Sequence, residues 1–379
     1  MKIRELIFEA GPAVGRKYQH IEDLVFTNGS TGGLHAIERL QSMGTQGSTI
    51  ELKWDGSPVV YWGKDDQGRF SLIPKNAWEY LKRGKTELDN GVKTVMYTPD
   101  DIKNFILGTG KVEPGKETQR QMFAQNMAEL WPYFEKISPP KGYIEGGILF
   151  SPLQPVQLNP TTQEYDFKPN ITAFHIPVGS DLGKRIAKTK VMVAATGFYD
   201  TLGSSEENRF PNAEQLSTPD VIVQGTTYVE KAPGVNDAGV KKAEQFISAN
   251  AALIDAFLAP KPGLSKPGDI LYKFYNQNLR VPGVKDKFQD WVNANVSAGQ
   301  AGKILADQRG LNAVLNAVEL LSKEKLHLIS KLSVGTHGGI RQTKPEGYVQ
   351  AHPGTPFNRD LPGQFVKAID QANWAPRKD

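Results

Sequence analysis

Between Val240 and Leu332 apolar residues recur three and four positions apart, whereas the segments on either side read mainly as short apolar or β-branched runs separated by turns. Strands that come from both sides of a helical block cannot be a simple alternation of βαβ units. The pattern predicts an α+β fold whose sheet core is interrupted by a helical insertion. The expected division is 1–233 for the first part of the core, 234–333 for the insertion and 334–379 for the last strands.

Individual elements follow from local pattern. Leu34, Ile37, Leu40 and Met43 mark an amphipathic helix. Ser48 to Lys53 reads as a strand. Pro58 to Gly63 and Phe70 to Ile73 form a hairpin around Asp65-Asp66-Gln67-Gly68. Helices are predicted from about Asp100 and over Glu117 to Ile137, followed by a buried strand from Gly142 to Phe150. Further strands are expected at Ile171 to Ile176 and Lys190 to Ala195. The insertion should contain helices over Val240 to Leu258, in pieces over Leu271 to Val296, and over Ile304 to Leu332. Strands return at Gly347 to Gln350 and Gln364 to Ile369.

The chain has 379 residues and no cysteine, so disulfide-linked partners, thiol nucleophiles and thiolate zinc sites are excluded. The six histidines show no paired ligand spacing, and neither a Gly-x-Ser-x-Gly turn nor a Walker loop is present. A net charge of +4 is a mild bias toward polyanionic partners. No apolar run approaches the roughly 20 residues that span a bilayer, and the charged N-terminal decapeptide does not read as a signal peptide. A protein acting in the cytoplasm, without a membrane partner, is the expectation.

The chemistry-bearing segment is Glu51-Leu52-Lys53-Trp54-Asp55-Gly56. A lysine at a strand end, followed by an acid and a glycine, can be held over a nucleotide. It attacks only when deprotonated, which a nearby cation or partial burial favours. The same residues also describe a solvated lysine beside an ordinary Asp-Gly turn.

With four later segments in order, the sequence resembles the covalent nucleotidyltransferases, namely ATP-dependent DNA ligases, RNA ligases and mRNA-capping enzymes. The segments are Lys53-Trp54-Asp55-Gly56, Tyr143-Ile144-Glu145-Gly146, Thr172-Ala173-Phe174-His175, Glu346-Gly347-Tyr348-Val349 and Phe365-Val366-Lys367-Ala368-Ile369. It is most similar to uncharacterised RNA-ligase-like proteins of tailed bacteriophages, a likeness that His20-Ile21-Glu22-Asp23-Leu24 shares. The resemblance implies a ligase-type core of antiparallel sheets flanked by helices, working in a bacterial host cytoplasm.

It also implies roles. Lys53 would take AMP from ATP, Asp55 and Gly56 would complete the nucleotide loop, and Glu346 would bind Mg2+ or orient Lys53. Lys367 would neutralise the α-phosphate. Glu145 would contact the ribose, although here the acid precedes two glycines where the family pattern has glycine before the acid. Phe174 would stack on the base. Lys75, after the hairpin, is placed to return toward the phosphates. Each keeps a plainer alternative: a turn acid for Glu346, solvent-facing lysines for Lys75 and Lys367, a capping acid for Glu145 and a core ring for Phe174.

The resulting expectation is an ATP- and Mg2+-dependent ligase that seals 5′-phosphate and 3′-hydroxyl ends of RNA or DNA, with RNA slightly preferred. DNA ligases and capping enzymes continue into an OB-fold domain after the last motif, and none is expected here. Lys241, Lys242, Lys285 and Lys287 of the insertion are candidate phosphate contacts, and the Gly335 to Arg341 segment is a candidate anion loop. The alternatives are a noncatalytic phage protein that keeps the fold for nucleic-acid binding or structure, and a GTP-using guanylyltransferase.

Overall fold

The computed structural model describes residues 19–45, 50–52, 54, 56–110, 115–170, 172–205, 212–225, 234–264, 266–278, 283–332, 340–343, 348–351 and 365–367. It is a mixed fold of helices and mainly antiparallel sheets, in agreement with the α+β expectation.

The central sheet has the order β10 (Val221–Gln224), β9 (Val191–Tyr199), β5 (Gly142–Phe150), β3 (Val59–Lys64) and β4 (Phe70–Pro74). Only the β10 and β9 pair is parallel. Successive residues of β9 and β10 are buried in different cores: Val191, Val193, Val221 and Val223 on one side, Met192, Ala194 and Ile222 on the other. A strand covered on both faces needs the continuous apolar run that the sequence displays. In the β3 and β4 hairpin, Gly68 at φ 75° supplies the left-handed turn conformation, and Asp65 Oδ1 accepts from the Gln67 and Arg69 N–H groups.

One core lies between this sheet and α2 (Lys75–Leu81), α3 (Pro99–Gly108), α4 (Glu117–Glu129) and α5 (Trp131–Lys136). Its centre is aromatic, with the Tyr61 and Trp78 rings stacked at 4.3 Å. The single helix expected over 117–137 is two helices. Pro132 has no N–H to continue the ladder, so the hydrogen bonding restarts around Leu130.

The other core joins the opposite face to α1 (Asp23–Thr45), α7 (Asp237–Ala249), α8 (Ala251–Leu258), α9 (Pro267–Gln277), α10 (Phe288–Asn295), α11 (Ala298–Ala306) and α12 (Gln308–Leu332). The short α6 (Asp181–Ile186) is capped by Ser180, whose hydroxyl accepts from Gly183 N–H. Helix α1 begins eleven residues before the predicted one and kinks at Gly29 (φ 61°, ψ −140°). There Asp255 of α8 accepts from Ser30 N–H (2.7 Å) and the Ser30 hydroxyl (2.8 Å), capping the second half of the helix. Helix α1 packs against α7, α8, α9 and α12, so the helical block is built around an element from the first fifty residues.

Two smaller sheets complete the fold. One has the order β1 (Gln19–His20), β13 (Phe365–Lys367), β12 (Tyr348–Ala351) and β2 (Ile50–Leu52). The other runs β11 (Arg341–Thr343), β8 (Ala173–Pro177), β7 (Glu164–Phe167) and β6 (Gln157–Asn159), all antiparallel. Among the described residues no helix is long and apolar enough to cross a membrane.

Candidate functional site

Among the described residues, strands that carry or adjoin the five segments are linked in space, although the segments are far apart in the chain. Strand β2, which ends one residue before Lys53, pairs antiparallel with β12, and β12 pairs antiparallel with β13. Val349 stands opposite both Glu51 and Lys367 in the register. The strand leading to the first segment and the strands bearing residues of the fourth and fifth are therefore neighbours in one sheet.

The described residues of the loop after Lys53 are held on β5 and β8, the strands that carry the other two segments. Trp54 is buried, with its ring stacked on Phe174 of β8 at 4.9 Å. Gly56 lies backbone to backbone against Gly147 of β5: a Cβ on Gly56 would stand 2.6 Å from Gly147 Cα, and one on Gly147 would stand 2.7 Å from Gly56 Cα. No side chain fits at either position. Ser57 N–H donates to Ile148 O (2.8 Å) and Ile148 N–H to Pro58 O (3.1 Å), fixing the loop to the strand. Beside it a cleft of about 90 Å3 is lined by Ser57, Pro58, Met122, Phe123, Phe150 and Leu153.

Lys53, Asp55 and Glu346 lie outside the described residues, as do 335–339 of the candidate anion loop. Lys367 is described as a strand position only. Phe174 is fully buried, with Trp54 on one side and Phe167 stacked at 5.3 Å. That makes it a ring of the core. Lys75 is not at the end of a strand. It is the exposed first residue of α2, directly after β4, because Pro74 ends the ladder and the chain turns into a helix.

Glu145 is 8% exposed and opposite Tyr61 in the register, and its Oε2 accepts from the Tyr199 hydroxyl at 2.7 Å. Tyr61 and Tyr199 belong to the aromatic core on the α2 to α5 side, whereas Phe174 belongs to the other core. The structure does not bring Glu145 and Phe174 to a common surface. Two residues along β5, burial pushes the Tyr143 phenol up to about 12.

Of the four insertion lysines, Lys241, Lys242 and Lys287 are exposed. Lys285 is engaged by Glu319 (2.5 Å) and Asn316 (2.6 Å). Partial burial raises the Glu319 carboxyl, but the Lys285 bond and the Gly283 N–H outweigh it and hold it below its ordinary value.

Two clusters escaped the sequence reading. Glu164 and Asp166 share a face of β7, and His175 of β8 stands opposite Asp166, so one ligand atom from each lies within 4.8 Å of the others. Such a set could hold a divalent cation, but Asp166 already bonds His175 (2.8 Å) and accepts from Asn159 (3.2 Å), so it needs no ion to be satisfied. Spacing in the sequence hides this group because a turn separates its members. The second cluster is an ion pair between Glu22 and Lys325, both completely buried, with His20 beside it. A lysine at helical spacing among leucines gives no sign of burial.

Residues 17–79 match a family of unknown function (DUF6267), a span that runs from β1 through Lys53-Trp54-Asp55-Gly56 into α2. No curated protein and no solved structure matches the chain.

Proposed function

We propose that the chain is an ATP-dependent polynucleotide ligase-like nucleotidyltransferase working through a lysyl-AMP intermediate on Lys53. The observation that supports this reading is the adjacency of strands that carry or adjoin the segments: β2, β12 and β13 neighbours in one sheet, Gly56 seated on Gly147 of β5, and Trp54 stacked on Phe174 of β8. One nucleotide site would require the strands around Lys53, Glu346 and Lys367 to be neighbours, which the adjacency of β2, β12 and β13 satisfies.

In this reading the Lys53 amine, having lost a proton, forms a bond from Nζ to the α-phosphorus of ATP while the bond from that phosphorus to the bridging oxygen breaks and pyrophosphate leaves. Lys367 stabilises the added charge on the α-phosphate and disfavours a second cation at Lys53. The tightly seated Gly56 fixes the direction in which the loop leaves β2, which is the positioning that such an attack requires. AMP then passes to a 5′-phosphate end, and a 3′-hydroxyl displaces it to seal the strand, with RNA preferred slightly over DNA.

The oxygen donors of these segments, the carboxylates of Asp55 and Glu346, are of the hard kind that suits Mg2+, whereas Glu145 has one oxygen committed to Tyr199. When bound there, the ion supplies charge neutralisation for the triphosphate.

The test is incubation with α-labelled ATP or GTP and Mg2+, followed by denaturing electrophoresis, for wild type and Lys53→Ala. Label from ATP on wild type alone supports the reading. No label on wild type, or equal label on both, refutes it, and label from GTP alone would replace ligation by guanylyl transfer.

A further inference from the structure

The cleft of about 90 Å3 opens where the loop that follows Lys53 runs into β3, with Ser57 and Pro58 in its wall. One face of α4 supplies Gln119, Met122, Phe123 and Asn126, three and four residues apart, and the end of β5 and the turn after it supply Phe150, Ser151, Leu153 and Gln154. Another face of α4, with Arg120, Ala124 and Ala128, is buried.

None of the thirteen residues around the cleft is charged, in a chain in which 23% are. A phosphate or carboxylate would meet no cation there, so the cleft suits a neutral group. Met122 and Leu153 are 56% and 38% exposed, large apolar side chains that an occupant would take out of water. Phe123 is half-buried and makes no ring contact among the described residues, which leaves it available to stack on a flat ligand.

The polar side chains of the cleft are hydroxyls and amides. Gln119 and Asn126 have no hydrogen-bond partner among the described residues, and Gln154 donates its Nε2 to Lys168 O and keeps its oxygen. A primary amide presents a donor and an acceptor side by side, the pattern with which Asn and Gln match the edge of adenine. An acyl chain would leave such groups buried and unpaired.

The ring that the resemblance assigns to the base cannot serve it, because Phe174 is fully buried between Trp54 and Phe167. We propose that this cleft instead takes the purine base of the nucleotide, with Phe123 on the face of the ring and the Gln119 and Asn126 amides at its edge. Four residues span at most about 14 Å, so a base held against Ser57 stays within reach of one nucleotide and a lysine side chain from the start of the loop. The inference rests on the nucleotidyl-transfer reading for the identity of that nucleotide, ATP.

Two measurements on the full chain test it. Isothermal titration calorimetry with adenosine, which has no phosphate, reads the cleft without any chemistry at Lys53, and label transfer from ATP reads it through KM. The variants are Gln119→Ala with Asn126→Ala, and Met122→Ala with Leu153→Ala, at half-buried and exposed positions, with the thermal midpoint as the check on folding. Wild type should bind adenosine. Each double variant should bind it about tenfold more weakly and raise KM for ATP by a similar factor with little change in kcat, the signature of lost ground-state binding.

Wild type that does not bind adenosine at millimolar concentration, or variants that bind it as tightly as wild type does, overturn the proposal. Self-association that Met122→Ala with Leu153→Ala abolishes, in place of adenosine binding, gives the cleft to a second copy of the chain and overturns it as well. Wild type that takes no label removes the nucleotidyl-transfer reading, and adenosine binding that is weakened in both double variants then still supports a purine cleft. A labelled wild type whose variants keep its KM and its adenosine affinity removes this inference alone.

Discussion

Replacing Gly147 by alanine tests the one contact on which the candidate site is built. The new methyl group would stand 2.7 Å from Gly56 Cα, against the 3.4–4 Å of ordinary contact, so the loop must retreat by most of an ångström. That retreat pulls on the Ser57 N–H to Ile148 O and Ile148 N–H to Pro58 O hydrogen bonds, each worth about 0.5–1.5 kcal/mol net. Overpacking in a buried strand adds about 1–3 kcal/mol. Together the loss is about 2–6 kcal/mol, which at about 2 °C per kcal/mol for a large domain is a fall of roughly 4–12 °C in the thermal midpoint. Gly56→Ala strains the same crossing from the other side. The double variant should therefore lose clearly less than the sum of the single losses. Differential scanning calorimetry reads the midpoints, and the ATP-labelling gel reads the chemistry at a temperature where each variant is folded. A Gly147→Ala midpoint within about 1 °C of wild type would mean that the loop does not sit on β5 as described, and the convergence argument would fail with it.

Other residues give independent tests. Asp255→Ala removes both bonds to Ser30 at the α1 kink and should cost about 1–2 kcal/mol in a denaturation measurement, without altering nucleotide labelling. Phe174→Ala should cost about 3–5 kcal/mol, as for any buried phenyl ring, and leave KM for ATP near wild type if the ring only supports Trp54. Tyr199→Phe takes one partner from a buried carboxylate and should lower the midpoint, with Glu145→Gln restoring part of the loss. At Asp65, partial burial raises the carboxyl, but bonds from Arg69, Tyr97 and Gln67 outweigh it and leave it below its ordinary value. A depressed folded value means that the contribution is present above the unfolded value of about 4 and is lost as pH falls through the lower folded value. An acid titration of stability should accordingly be flatter for Asp65→Asn.

The sequence announced elements whose cause is local. Gly68 and the Asp65 carboxylate make the hairpin turn from neighbouring residues, and the apolar run of β5 marks a strand covered on both faces. The first half of α1 was illegible because Asn28-Gly29-Ser30-Thr31-Gly32-Gly33 has the composition of a loop. What keeps it helical is Asp255, 225 residues away. Pro132 is a local signal for the break between α4 and α5, which the single helix expected over 117–137 did not take into account. Strands β6 and β7 are short and polar and gave no period to detect. At the candidate site, the order of the motifs was visible, but the partners were not: Tyr199 for Glu145, Gly147 for Gly56 and Lys325 for Glu22 are long-range choices made by packing.

The sheet that unites β1, β13, β12 and β2 also sets a timetable for synthesis. Its first two strands leave the ribosome within the opening fifty-two residues, and their partners only after residue 348. At about 5–20 residues per second, a delay of roughly 15–60 seconds separates them. Until then β2 lacks β12, its neighbour in that sheet, so a nascent chain carries the Lys53 segment before the strands of the candidate site can assemble around it.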